Sequence, residues 1–425
     1  MTTLPDPLPI RSRGPLDARL RVPGSRSITN RALVAAALAS GESRLEGAAS
    51  SDDTDVMRKG LCALGADITV DSDAWTVVGV GGRFGAPGET VNAGASGTTA
   101  RFLTAASTLA TGPVVIDGIP RMRERPIREL VEALRALGAD CEAMSPGGCP
   151  PVRVAGGGLP GGRASIDARR SSQYVSGILL AAPYADRDVE LSFVEGVLVS
   201  RPFVELTLEV MGAFGARASW HGEGLRVRAG SPYRSRVYPI EPDAQSAVYG
   251  FAAAAIAGGR VRVDGIPASS RQTDLLFLDA LESMGCVVER KSDAVEVQGA
   301  PRALRGVEID MNAMPDAALA LAVVALFAEG PTTIRNIANL RIKETDRLAA
   351  LETQLRSLGG RATAGPDWLR IEPAPLHGAI IDTYDDHRIA MAFALAGLRV
   401  PGVEIRDPGC VSKTWPNYFD ALERL

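Results

Sequence analysis

The chain has 425 residues, 46% hydrophobic and 23% charged, a balance that excludes a disordered or fibrous protein. That length exceeds what one hydrophobic core holds, roughly 250 to 300 residues, so two domains are expected. Lys+Arg 46 against Asp+Glu 50 leaves a net charge of -4, so no global field draws in nucleic acid or an anionic membrane, and any anion site must be local.

From the N-terminus, Met1 to Arg13 is rich in Pro and Arg and lacks the apolar segment of a secretory signal, which predicts a cytoplasmic protein. Residues 7 to 22 offer two strand-like stretches, followed by an Ala-rich helix over Arg31 to Ala39 and two short strands, ADITVDS (66–72) and AWTVVGV (74–80). Further Ala-rich helices are predicted over Arg101 to Leu109, Tyr174 to Ala182, Gln245 to Ile256, Asp316 to Phe327 and His387 to Leu398. Between them, strands VVIDGI (114–119), VRVDGI (261–266) and TTIRNI (332–337) each lead into a charged helix: Ile127 to Leu137, Thr273 to Met284 and Lys343 to Leu358. The apolar runs are about ten residues long, short of the roughly 20 that span a bilayer.

These elements repeat. A signature ending in glycine closes the charged helices at Gly65, Gly138, Gly215, Gly285 and Gly359, spaced 70 to 77 residues apart, where glycine serves as a left-handed C-cap. A second glycine follows five of the six Ala-rich helices, at positions 41, 112, 259, 330 and 402. Six Ala-rich helices make six units, the last stopping at the end of its charged helix, Phe419 to Leu425. Its absent strands point to completion by the N-terminal stretches. Three units per domain, with crossovers at the Pro-marked segments 22–26 and 238–243, is the arrangement the count favours. The fold class is mixed α/β, with Ala-rich helices buried and charged ones outside.

Polar residues gather where the Ala-rich helices begin: Ser25 to Arg31, Ser96 to Arg101, Ser171 to Gln173, Asp243 to Ser246, Pro315-Asp316 and Asp385 to Arg388. Helix N-termini attract anions, and Arg26, Arg31, Arg101 and Arg388 add cations to ends that are already positive, a cost that a polyanionic ligand removes. Only four of the 46 basic residues are lysines, at positions 59, 291, 343 and 413. A compact, titratable ammonium among arginines marks Lys343 and Lys413 as functional. Lys343, Glu344 and Arg347 are expected to open one helix, and His387 to cap another as a neutral imidazole. Five scattered cysteines without a CxxC pair suggest neither disulfides nor a zinc site. A nucleophile elbow, a Walker-type loop and a strong dinucleotide fingerprint are all missing.

The segments PGSRSITNRAL (23–33), SGTTARF (96–102), PRMRERPI (120–127), SSQ (171–173), NLRIKETDRL (339–348), DDHRIAMAFAL (385–395) and DPGCVSKTWPNYF (407–419) closely resemble the 5-enolpyruvylshikimate-3-phosphate synthase family, in colinear order over almost the whole chain. The resemblance implies two similar domains, each of three βαβαββ units with pseudo-threefold symmetry, and an active site in the interdomain cleft. The boundaries would be 23–241 for one domain and 1–22 plus 242–425 for the other. It implies transfer of the enolpyruvyl group of phosphoenolpyruvate to the 5-hydroxyl of shikimate-3-phosphate, in a glyphosate-targeted step of aromatic amino-acid biosynthesis. The expected enzyme is a cytoplasmic monomer with small-molecule substrates, no cofactor or metal, and no nucleic-acid or membrane partner.

Carried over by motif, Arg26, Gly97, Arg121, Gln173, Arg347, Arg388 and Lys413 would hold phosphoenolpyruvate. Arg26, Ser27, Arg31, Ser171, Ser172, Gln173, Ser200, Asp316, Asn339 and Lys343 would hold shikimate-3-phosphate. Glu344 is assigned the carbon proton, and Asp316 with Lys343 the hydroxyl proton. Three departures stand out: Arg26 where the family has Lys, Ala95 where it has Asn, and Phe203 where it has Tyr. Arg26 and Ala95 predict weaker glyphosate sensitivity than that of the family's most sensitive members. A UDP-sugar enolpyruvyl transferase is the nearest alternative, although no Cys lies between positions 63 and 140, where its loop cysteine belongs. A phosphate-binding or RNA-terminal cyclase-like protein is the more distant one.

Overall fold

The computed structural model describes residues 4–71 and 74–425 and divides into two compact units. One spans Gly24–Ile240, and the other joins the segment ending at Pro23 to Glu241–Leu425. The last residue of the expected ADITVDS strand and the first three of the N-terminal segment lie outside the described residues.

In the unit 24–240, three four-stranded sheets share one plan: a parallel strand, a central strand, then an antiparallel hairpin. Val91–Asn92 runs parallel to Val114–Asp117, which pairs antiparallel with Val152–Val154, itself antiparallel to Cys141–Ala143. The sheets around Ser40–Glu46 and Val189–Leu198 repeat this order, and the strand Val237–Pro239 supplies the parallel partner of the first. Inside lie the helices Arg26–Leu38, Gly97–Ala106 and Ser172–Ala181, buried on nearly every face. Alanine suits this position, because a helix enclosed on all sides can bring its backbone close to its neighbours only with small side chains.

The second unit repeats the plan around Gly259–Asp264 and Thr332–Arg335, with inner helices Ala244–Ala257, Ala318–Ala325 and His387–Gly397. Leu16–Leu20 is the parallel partner of Gly259–Asp264. In the third sheet Ile380–Ile381 runs parallel to Glu404–Ile405, and the antiparallel place is taken by Leu8–Pro9. The N-terminal stretch thus supplies strands to two of this unit's sheets.

All five glycines of the repeated signature adopt left-handed backbone, with φ between 91° and 107°, where an L side chain meets its own carbonyl. Helix starts differ from expectation. The first two inner helices begin at Arg26 and Gly97, four or five residues before the expected Arg31 and Arg101. The helix expected from Lys343 begins at Arg347, capped by Asp346, whose side chain accepts from the Ala349 N–H at 3.1 Å, so Lys343 and Glu344 occupy the preceding turn. The expected Asp316 helix opens as a 3-10 turn, Pro315–Ala317, and is α-helical over Ala318–Ala325. Thr273 to Met284 divides the same way, into Thr273–Leu276 and Phe277–Met284.

Candidate active site

Each unit carries its own cluster of charged side chains at the starts of its inner helices. In the unit containing residues 241–425, the centre is Arg347, 1% exposed on the first turn of its helix. Its Nε and Nη2 donate to the two carboxylate oxygens of Asp386 at 2.7 and 3.1 Å, and Nη1 donates to Asp316 Oδ1 at 2.8 Å. Nη2 also lies 2.9 Å from Glu344. Burial would lower the Arg347 pKa, but Asp386, Glu344 and Asp316 outweigh it and raise it well above the usual arginine value.

Asp316 sits among cations: Lys343 Nζ at 3.4 Å, Arg347 at 2.8 Å and Arg388 Nη2 at 3.4 Å. Burial pushes its pKa up, yet Lys343, Arg388 and Arg347 together hold it well below the ordinary carboxylate range. Lys413, in the 3-10 turn Pro408–Lys413, donates to Glu344 Oε1. Asp386, rather than His387, caps the helix His387–Gly397, accepting from the Arg388 N–H at 2.9 Å. His387 is buried, and neither ring nitrogen has a hydrogen-bond partner among the described residues. Burial first, then Lys413 and Arg388, depress its pKa well below 6.5, so the imidazole is neutral. Asn339, in the 3-10 turn Ala338–Ile342, keeps its buried Oδ1 without a hydrogen-bond partner among the described residues.

The unit 24–240 gathers buried guanidiniums on neutral oxygens. Arg31 donates from Nε to Thr207 Oγ1 at 2.7 Å, and from Nη1 and Nη2 to the carbonyls of Ser27 and Phe203 at 2.8 and 3.0 Å. Burial brings its pKa down to about 9. Arg101 donates to the carbonyls of Gly97 and Pro126 at 3.1 and 2.7 Å, and burial, then neighbouring Arg125, lower its pKa to about 10. Both sit past the first helical turn and reach back toward the N-terminus, as helical side chains lean. Buried cations hydrogen-bonded to neutral oxygens carry an uncompensated charge that an anion would relieve.

Around these, Arg26 Nη1 donates to Asp53 at 2.6 Å, and Gln173 Nε2 donates to Thr98 Oγ1 at 3.1 Å. Ser171 caps its helix by accepting from the Gln173 N–H at 3.2 Å, and Ser172 is the first residue of that helix. Ser200 holds left-handed backbone at φ 51°. Tyr384, Asp385 and Asp407 share that conformation beside the Arg388 and Lys413 turns, a clustering of strain typical of functional sites.

Arg121 is 39% exposed in its side chain and pairs with Glu124 at 2.6 Å on the surface of the turn Pro120–Glu124. Arg125 enters the site: its Nη1 donates to the Ala95 carbonyl at 3.1 Å, and its Nη2 lies 2.7 Å from where a Gly97 side chain would begin. The signal was present in Pro126, since a residue before proline is driven to extended backbone, which swings Arg125 out of the turn. Asp386, Asp53 and Gln245 were also not singled out; each looks like an ordinary cap or surface polar residue in sequence.

The family model described as EPSP synthase (3-phosphoshikimate 1-carboxyvinyltransferase) matches residues 10–422. The chain is 47% identical over 415 residues to the 3-phosphoshikimate 1-carboxyvinyltransferase of Methanoculleus marisnigri, covering 97% of this chain and 98% of the relative. It is 45% identical to that of Nostoc punctiforme, covering 95% of each. A solved EPSP synthase from Acinetobacter baumannii superposes with a TM-score of 0.83 at 26% identity, covering 98% of this chain and 97% of that one.

Proposed function

The chain belongs to the EPSP synthase (3-phosphoshikimate 1-carboxyvinyltransferase) family, and we propose that it transfers the enolpyruvyl group of phosphoenolpyruvate to the 5-hydroxyl of shikimate-3-phosphate, releasing phosphate. The observation that carries this reading is the pairing of two carboxylates with four buried or half-buried cations. Asp316 lies against Lys343, Arg347 and Arg388, and Glu344 against Lys413 and Arg347. Such a set binds a small polyanion and retains one acid and one base for proton transfer.

In this reading, phosphoenolpyruvate draws Lys413, Arg347 and Arg388 onto its phosphate and carboxylate. Glu344 then loses its cationic partners and gains anionic neighbours, which raises its pKa and lets it deliver a proton to the methylene carbon. The adjacent carbon becomes electrophilic and is attacked by the 5-hydroxyl, whose proton passes to Asp316 with Lys343 beside it. The tetrahedral intermediate expels phosphate by C–O cleavage and loses a methyl proton. The shikimate phosphate is assigned to Ser27, Arg31, Ser171, Ser172 and Ser200. Gln173 and Asn339 are assigned to its ring substituents, and Arg26, Gly97 and Arg121 to phosphoenolpyruvate, with Arg125 beside Gly97 as a further candidate.

Glu344→Gln keeps the size of the side chain and removes its acid, so turnover should fall by about 100-fold or more, within the usual contribution of general acid–base catalysis. Phosphorus NMR of a mixture containing both substrates should show inorganic phosphate and an enolpyruvyl ether forming together. Turnover of Glu344→Gln within a few fold of wild type would remove the acid assignment. Enolpyruvyl transfer to a UDP-sugar in place of shikimate-3-phosphate would overturn the substrate. Glyphosate is expected to compete with phosphoenolpyruvate. Five free cysteines suit a reducing compartment, and we place the protein in the cytoplasm as a monomer, which gel filtration tests. Among the described residues no helix is long and apolar enough to cross a membrane.

A further inference from the structure

Gln245 stands on the first turn of the helix Ala244–Ala257, 7% exposed, inside the charged cluster but without a part in the chemistry above. Its Oε1 accepts from Arg388 Nη2 at 2.5 Å, and its Nε2 donates to Asp316 Oδ2 at 3.5 Å. The same side chain hydrogen-bonds the carboxyl of Asp274. Asp274 lies in the turn Thr273–Leu276, 3% exposed, and its Oδ1 has no hydrogen-bond partner among the described residues. One neutral amide therefore touches the cation assigned to phosphoenolpyruvate, the carboxylate assigned to the hydroxyl proton, and a buried carboxyl behind them.

A primary amide suits that place, since it offers an acceptor on one side and two donors on the other in one rigid plane. Arg388 Nη2 and Asp316 Oδ2 already pair at 3.4 Å, a separation that can collapse further into a short, direct hydrogen bond. That collapse would occupy the guanidinium hydrogens needed by an anionic substrate and the carboxylate oxygen needed by a hydroxyl proton. We propose that Gln245, braced by Asp274, is a positioning residue that holds Arg388 and Asp316 to their separate partners. This rests on the roles assigned above. The charged groups facing Asp274 are Arg388, Asp316 and Asp243; burial, the largest influence, carries its pKa up to about 7, while the Gln245 hydrogen bond opposes the rise.

Two variants separate positioning from packing. Gln245→Leu keeps the volume and loses every hydrogen bond, so Arg388 closes on Asp316, and KM for phosphoenolpyruvate should rise about tenfold or more. Gln245→Glu keeps the acceptor for Arg388 but places a third carboxylate between Asp316 and Asp274. KM for phosphoenolpyruvate should then stay within a few fold, while kcat falls and its acidic limb moves to higher pH, because like charges raise one another's pKa. Folded variants with wild-type kcat, KM and pH profile would overturn the proposal, and if Gln245→Leu fails to fold, Gln245→Glu alone decides.

Wild-type enzyme without enolpyruvyl transfer would instead mean that the functional reading has failed. The positioning contact is then read without turnover, by carbon NMR of labelled aspartate carboxyls. The Asp274 signal should titrate about one pH unit higher in Gln245→Leu than in wild type, since the bond that holds it down is gone. An unchanged titration would overturn the contact itself.

Discussion

Arg121 and Arg125 stand in one loop, in different surroundings. Arg125 is 9% exposed and pressed against the start of the helix Gly97–Ala106, whereas Arg121 pairs with a surface carboxylate. Loss of a charged hydrogen bond costs about 1.5 to 3 kcal/mol, so Arg121→Ala and Arg125→Ala should each raise KM for phosphoenolpyruvate roughly ten- to a hundred-fold. Steady-state kinetics on the two variants checks this, and an unchanged KM in either variant would remove that arginine from the site. His387 yields a stability prediction. Its folded pKa lies well below the unfolded 6.5, so the unfolded chain binds the extra proton at acid pH. The stability that this group contributes is whole above pH 6.5 and is lost as pH falls below it, by about 1.4 kcal/mol per unit. Urea unfolding of wild type and His387→Gln at pH 7.5 and 5.5 should show the smaller loss in the variant. The residue roles were legible in sequence only where a motif held them, as with Arg347 in NLRIKETDRL. Gln245 and Asp386 lay inside polar helix starts but carried no role of their own, because what makes them matter is their approach to residues far away in the chain.

At the scale of elements, the glycine-marked helix ends were legible, whereas the starts of the first two inner helices were not, for a physical reason. A left-handed C-cap admits little but glycine, so the five signatures stand out, whereas the first turns of the inner helices are polar and look like loop. Those turns are polar because they border the charged clusters rather than the core, and a helix buried on all sides has no amphipathic period to mark where it begins. Gly285 isolates the cost of the cap itself. Its φ is +107°, and an added Cβ would meet nothing nearer than 3.8 Å, so Gly285→Ala suffers conformational strain without a clash. The expected loss is about 1 to 2 kcal/mol, read from denaturant midpoints at constant m-value. A neutral substitution would contradict the capping role.

At the scale of the whole molecule, the N-terminal segment belongs by its pairing to the C-terminal residues. Leu16–Leu20 lies parallel to Gly259–Asp264, burying Leu16 and Leu20, and Leu8–Pro9 completes the sheet of Glu404–Ile405. Removing residues 1–22 should therefore expose strand edges in that unit and leave the sheets of 24–240 whole. Limited proteolysis followed by mass spectrometry should show cuts within 241–425 appearing first, and first cuts within 24–240 would contradict this. The six-fold repeat was legible because glycine spacing survives when side chains diverge, while the two charged clusters, drawn from loops of several units, emerged only once the chain was folded.

Enolpyruvyl transfer by C–O cleavage is reported directly by the bridging oxygen of phosphoenolpyruvate. With that oxygen isotopically labelled and shikimate-3-phosphate present, mass spectrometry should find the label in the released phosphate, one equivalent for each shikimate-3-phosphate consumed. Label retained in the organic product, or phosphate released at the same rate without shikimate-3-phosphate, would contradict it.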